Sequence, residues 1–221
     1  MGERSAGRGR APLVVAVTGG MGAGKTAFCE RMARHPGVVR LDADAVVHRI
    51  LREDAAARSE IVGAFGPEML DADGTLDRGR LAERAFADGA LLARLEAILH
   101  PRVRRLLAGE VAALKRSADV DIVLVEIPLL AESGAPDWCD LVVTLEAPVP
   151  LRIARLVHRG VPPEAALRRI ARQAGEARRR AAADIVVDNS AGPEALASAA
   201  DALWREWHGR GPHPAGRKDI R

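Results

Sequence analysis

Short runs of apolar, often β-branched residues punctuate this chain, and longer stretches with apolar positions at helical spacing fill the intervals. The runs are Leu13–Val17, Val38–Leu41, Asp121–Ile127, Leu141–Leu145 and Ile185–Val187. Each is apolar at nearly every position rather than at alternate ones, as in strands covered on both faces. Strands alternating with helices predict an α/β fold: a mainly parallel, five-stranded sheet flanked by helices. Between the second and third runs, Ala43–Arg116 reads as helix throughout, with breaks at Gly66-Pro67, at Asp71-Ala72-Asp73-Gly74 and at His100-Pro101. A single crossover rarely needs about seventy residues, so part of this stretch, about 45–116, is expected to form a helical insertion. A second helical and Arg-rich insertion, Val149–Ala183, precedes the last strand. Residues 1–11 and the basic 208–221 are expected to be disordered tails around one domain, 12–207.

Composition narrows the class. Of 221 residues, 48% are hydrophobic and 29% charged, which is ordinary for a globular domain. No apolar run approaches the roughly 20 residues of a membrane helix, so no membrane association is expected. Two cysteines, Cys29 and Cys139, do not make a disulfide framework. The basic start leads into no secretory core, and a cytoplasmic location follows as an expectation. The net charge of +3, with three Trp, three Phe and no Tyr, offers no stacking platform for nucleic acid. A small-molecule substrate, and a monomer or weak homo-oligomer, are the expected partners.

The most specific motif is Gly19-Gly20-Met21-Gly22-Ala23-Gly24-Lys25-Thr26, a full match to G-x-x-x-x-G-K-[ST]. It lies between a predicted strand and a predicted helix, Thr26–Ala33, which is the context the motif requires. Glycines let successive N–H groups converge on phosphate oxygens, and the helix N-terminus adds its positive end. Lys25 is the candidate for the β/γ-phosphates, Thr26 for Mg²⁺, and Ala27 contributes a backbone N–H. The cofactors expected are therefore ATP and Mg²⁺. No guanine-reading N-K-x-D motif and no motor-type pair of acidic residues is present. Leu41-Asp42-Ala43-Asp44 places two carboxylates at the C-terminal end of a strand, where open α/β sheets bind ligands. Either both cap a helix starting near Ala45, or one caps and the other orients an acceptor hydroxyl. Pro101 is expected to end one helix and begin another. The histidines have no zinc-ligand spacing with either cysteine.

These motifs, in their order and spacing, resemble the dephospho-coenzyme A kinase family from about Val14 to Trp204. The further landmarks are Phe65-Gly66, Asp73-Gly74-Thr75-Leu76-Asp77-Arg78, Leu99-His100-Pro101, Ile127-Pro128-Leu129-Leu130-Ala131-Glu132, Arg155 and Val187-Asp188-Asn189. The resemblance implies transfer of phosphate from ATP to the ribose 3′-hydroxyl of dephospho-CoA. It implies Asp44 as base, Thr18 near the reacting phosphate, and Arg155 as a lid arginine, with Arg159 one turn on. It also implies that the helical insertion binds the acceptor, with Asp42, His100, Arg104 and Leu130 as substrate-binding residues, and a lid over 149–183.

The chain departs from the family pattern at four places. Glu126 stands where Asp is usual, Ala131 where Phe is frequent, Ala27 where a second hydroxyl is common, and Glu176 where Arg is common. Arg178–Arg180 either supply that charge from shifted positions or form an exposed helix face. Two other readings remain open on sequence alone: a catalytically weak nucleotide-binding paralogue, and a shikimate kinase-like enzyme. The latter lacks support from an Arg-Gly-Gly in mid-chain.

Overall fold

Five strands form over the five apolar runs: β1 (Leu13–Gly19), β2 (Val38–Asp42), β3 (Ile122–Glu126), β4 (Leu141–Glu146) and β5 (Ile185–Asp188). The computed structural model describes residues 11–208 and 218–220, so the expectation of disorder at 1–10, 209–217 and 221 lies outside the described residues. Within the basic tail that expectation is corrected. Lys218–Ile220 forms a sixth strand, β6, parallel to β5 with Ile185 opposite Lys218. Among the described residues the sheet is therefore six-stranded, in the order β2-β3-β1-β4-β5-β6, with every pairing parallel. Every residue of β1, β3 and β4 is buried, which explains why they are apolar except at Thr18, Glu126, Thr144 and Glu146 toward their C-terminal ends. Asp140 and Asp184, each just ahead of a strand, accept the Val14 and Val142 N–H groups at 2.8 Å and fix the register locally.

Ten helices join the strands among the described residues: α1 (Lys25–Met32), α2 (Ala43–Glu53), α3 (Ala55–Phe65), α4 (Arg78–Ala87), α5 (Gly89–Leu114), α6 (Leu130–Ser133), α7 (Val149–His158), α8 (Pro163–Ala171), α9 (Glu176–Ala181) and α10 (Pro193–Trp207). The chain divides into two compact units, one of the segments up to Asp42 and from Val111 onward, the other Ala43–Glu110.

In the first unit, Val15 and Val17 of β1 pack with Phe28, Cys29 and Met32 of α1 and with Leu203 and Trp207 of α10. Ala16, Leu130, Val142 and Ala183 form a separate cluster. Asp201 of α10 pins α1: it accepts from Arg31 Nε at 2.7 Å and lies 2.8 Å from His35 Nε2, whose ring stacks on Trp204. The Arg31 hydrogen bond, followed by that of His35, holds the Asp201 carboxyl down at about 2 against the opposing effect of burial. A carboxylate with a depressed folded pKa stabilises above its unfolded value of ~3.9, and that stabilisation disappears as pH falls through the folded value. Asp201→Asn should therefore destabilise by roughly 1 kcal/mol at pH 7. In thermal melts the deficit should shrink between about pH 4 and pH 2. A deficit equal at both ends of that window would show that the charge is not the cause.

In the second unit, Asp54 caps α3 by accepting the Ala57 N–H (2.9 Å), and Asp77 caps α4 by accepting that of Arg80 (3.0 Å). The Asp71–Gly74 segment is a turn closed by a Leu70–Leu76 bridge. The break expected at His100-Pro101 does not occur: α5 continues through Pro101 as one helix. Proline removes one helical N–H and crowds the preceding turn, at a cost of ~3 kcal/mol. Tertiary contacts offset that here. Ile98, Leu99 and Leu107 are buried, and Arg102 donates to Ile98 O at 2.7 Å while pairing with Glu60 at 2.6 Å.

Candidate active site

The phosphate-loop glycines are required by close approach. Gly19 runs against β4, where a Cβ would stand 2.4 Å from Leu145 O. Gly24, the N-cap of α1, has φ 102°, and a Cβ there would meet Asn189 Nδ2 at 2.2 Å. Side chains grip the loop by its carbonyls. Arg152 Nε donates to Met21 O (2.8 Å), and Asn189 Nδ2 donates to Ala23 O (2.8 Å). Since N–H and C=O of one peptide point in opposite directions, these contacts aim the Gly22 and Gly24 N–H groups away, toward an incoming anion. Gln173 Oε1 accepts from both Met21 N–H (2.7 Å) and Arg152 Nη2 (3.2 Å). Ala23 is fully buried beneath the loop, whereas Ala27 is exposed on α1.

Lys25 Nζ rests on Gly19 O (3.0 Å) and Gly20 O (3.3 Å), inside the curl that a phosphate would enter. Thr26 donates its hydroxyl to Glu126 Oε1 at 2.9 Å. Glu126 closes β3 and is only 5% exposed. Its other oxygen, Oε2, accepts from Arg40 Nη2 at 2.9 Å. The same guanidinium nitrogen lies 3.4 Å from Asp42 Oδ2, and Arg40 Nη1 lies 3.8 Å from Glu30. Burial opposes the Arg40 charge, but Glu126 and the neighbouring groups outweigh it and raise the guanidinium above its usual pKa. Burial, with Glu126 adding to it, pushes the Cys29 thiol well up, so this cysteine is an inert core residue. Among the described residues no cluster of three or more His, Cys, Asp or Glu could cage a metal. A hydroxyl beside one buried carboxylate is instead a donor set that suits Mg²⁺ completed by phosphates and water.

The two aspartates separate. Asp42 ends β2 and is held by Arg40. Helix α2 begins at Ala43 rather than near Ala45, because strand passes directly into helix, so Asp44 lies exposed within the first helical turn. There its negative charge is favoured by the helix dipole. Thr18 is fully buried in β1, its hydroxyl 3.5 Å from Pro128 O. Arg155 donates to Asn189 O (2.9 Å) and Gly22 O (3.3 Å), and burial, then repulsion from Arg159, lowers its pKa. Arg159 caps the C-terminal end of α7 and is exposed.

Leu130 and Arg179 are placed differently from expectation. Leu130, assigned to the acceptor, is fully buried with Ala16 and Val142, so its side chain is a packing element. Ala131 is buried beside it. His100 is half-buried and Arg104 exposed, both on α5. Arg179, read as a free charge or an exposed face, is buried. It donates Nε to Glu146 Oε1 (2.8 Å) and Nη2 to Oε2 (2.6 Å), and Thr144 completes the carboxylate's bonding. Arg180 pairs with Glu176 at 2.7 Å, so Glu176 serves its own helix. The site residues that sequence reading missed are Arg40, Arg152, Gln173 and Asn189. Two signals were available: a lone arginine in an apolar strand, and Arg152 one helical turn before Arg155.

The family model for dephospho-CoA kinase (CoaE) matches residues 13–194. The dephospho-CoA kinase of Thermobifida fusca (strain YX) is 40% identical over 195 residues, 88% of this chain and 96% of that protein. The crystal structure of TT1252 from Thermus thermophilus superposes with TM-score 0.74 at 33% identity, covering 91% of this chain and 100% of that one. A dephospho-CoA kinase from Campylobacter jejuni gives TM-score 0.60 at 24% identity, covering 87% of this chain and 96% of that one, a likeness of fold.

Proposed function

This chain belongs to the dephospho-CoA kinase family, and on that premise we propose that it transfers the γ-phosphoryl group of ATP to the ribose 3′-hydroxyl of dephospho-CoA, giving CoA and ADP. The observation that carries the reading is the intact phosphate loop, with Lys25 folded into it and Thr26 bonded to the buried Glu126. Such transfers ask little covalent chemistry of the protein, so positioning and charge stabilisation do most of the work. Loop N–H groups and Lys25 hold the β- and γ-phosphate oxygens. Mg²⁺, held by the Thr26 hydroxyl with the Glu126 carboxylate beside it, would neutralise charge developing between those phosphates. Asp44 accepts the proton of the attacking 3′-hydroxyl, and Asp42 helps orient the acceptor. Arg155 and Arg159 carry positive charge to the nucleotide.

We assign acceptor binding to Ala43–Glu110, including His100 and Arg104, and a water-excluding lid to about 149–183. No helix among the described residues is long and apolar enough to cross a membrane. With both cysteines unpaired, we place the reaction in the cytoplasm.

The test is ADP release from Mg·ATP with and without dephospho-CoA, using shikimate and adenosine as alternative acceptors. Release that requires dephospho-CoA, with the new phosphate located on the 3′-oxygen by phosphorus NMR, is the expected result. A protein that binds ATP but turns over none of these acceptors would point instead to a nucleotide sensor.

A further inference from the structure

We propose that Arg40 is a positioning residue for the metal site: it clamps one oxygen of Glu126 so that the other stays at the Thr26 hydroxyl. The proposal rests on the Mg·ATP reading of the loop. Its basis is a chain of three contacts within one unit of the fold. Thr26 Oγ1 donates to Glu126 Oε1 at 2.9 Å, while Arg40 Nη2 donates to Glu126 Oε2 at 2.9 Å and reaches Asp42 at 3.4 Å. The carboxylate is thus split between two partners, one oxygen committed to a permanent cation and the other left at the place where a divalent ion would meet Thr26.

Register makes this possible. Asp42 of β2 stands opposite Glu126 of β3, and Arg40 stands two residues earlier on the same strand face as Asp42. Arg40 can therefore reach across to β3. The guanidinium is held at its tips, by Glu126 and Asp42 through Nη2 and by Glu30 near Nη1, while its Nε is buried without a hydrogen-bond partner, a cost those contacts must offset. An arginine inside the apolar run Val38-Val39-Arg40-Leu41 is costly unless its charge is paired. Glu126 supplies the matching need: a glutamate has one more rotatable bond than an aspartate, and a buried carboxylate with that freedom must be oriented to serve a metal. The pair acts as a unit, with the arginine determining which way the longer side chain points.

Partners of this kind behind a metal ligand change affinity by about 10–100-fold when removed. The experiment is a Mn²⁺ titration of the protein–ADP complex, followed by electron paramagnetic resonance, on wild type, Arg40→Leu, Arg40→Lys, Glu126→Gln and the Arg40→Leu/Glu126→Gln double variant. ADP affinity measured in EDTA serves as the control for intact loop structure. Arg40→Leu should weaken Mn²⁺ binding by about 10–100-fold with metal-free ADP affinity unchanged. Arg40→Lys should fall between, as a point charge without the fork. Adding Arg40→Leu to Glu126→Gln should cost nothing more, because Arg40 acts through the carboxylate. Mn²⁺ affinity that is unchanged or tighter in Arg40→Leu overturns the proposal, as do additive losses in the double variant. If Arg40→Leu does not fold, an unchanged Mn²⁺ affinity in Arg40→Lys overturns it alone. Wild type that fails to bind Mn²⁺ with ADP would overturn the Mg·ATP reading and this proposal with it.

Discussion

Asp44→Asn is expected to lower turnover by about 10²–10⁴ while leaving ATP affinity close to wild type. The substitution is nearly isosteric, so it tests charge and basicity rather than shape. Asp44 is exposed in the first turn of α2, with no core packing to lose, and a folding defect is not expected to confuse the result. Loss of helix-dipole stabilisation should amount to well under ~1 kcal/mol. The split between kcat and nucleotide binding is the decisive readout. Turnover near wild type would remove Asp44 from the base role and shift attention to Asp42, which lies 3.4 Å from Arg40.

Lys25→Ala should do something different and equally large: weaken ATP binding and depress turnover together. In the structure Lys25 Nζ lies on two carbonyls of the loop, Gly19 and Gly20, so its ammonium already occupies the phosphate cradle. Removing it deletes a point charge from both the ground state and the transition state, and a fall of ~10² or more in kcat/KM is expected. Calorimetric titration with ATP and steady-state kinetics on the same preparation would separate the two. Unchanged ATP affinity would exclude Lys25 from the phosphate site.

How much of this was readable in the chain depends on the range of the interaction involved. The first five strands were legible because each is apolar at most positions, and the loop because its chemistry is confined to eight adjacent residues. Strand β6 was not. Lys218-Asp219-Ile220 has a single apolar residue, and its strand character comes from pairing with β5. At Pro101 a sound local rule was overridden by the burial of Ile98, Leu99 and Leu107 and by the pairing of Arg102 with Glu60 of α3. The Arg40–Glu126 clamp was illegible for a related reason: its partners are 86 positions apart and meet only because β2 lies beside β3 in one particular register. Arg179 shows the limit from the other side. In sequence it is one of three consecutive arginines on a short helix; in the fold it alone is buried, because Glu146 waits at the end of β4. Charge runs reveal composition, but which member turns inward is decided by what the sheet presents.

The sixth strand also bears on how this sheet meets other molecules. An apolar edge is a template for ladder growth between chains, and β5, with buried Ile185, Val186 and Val187, would be such a template if it stood outermost. Instead the outermost strand is three residues long and carries Lys218 and Asp219, both exposed and both committed to ion pairs, with Glu206 and Arg180. A short, charged border gives an incoming strand little to align with, so the segment acts as a gatekeeper against aggregation on that side of the sheet.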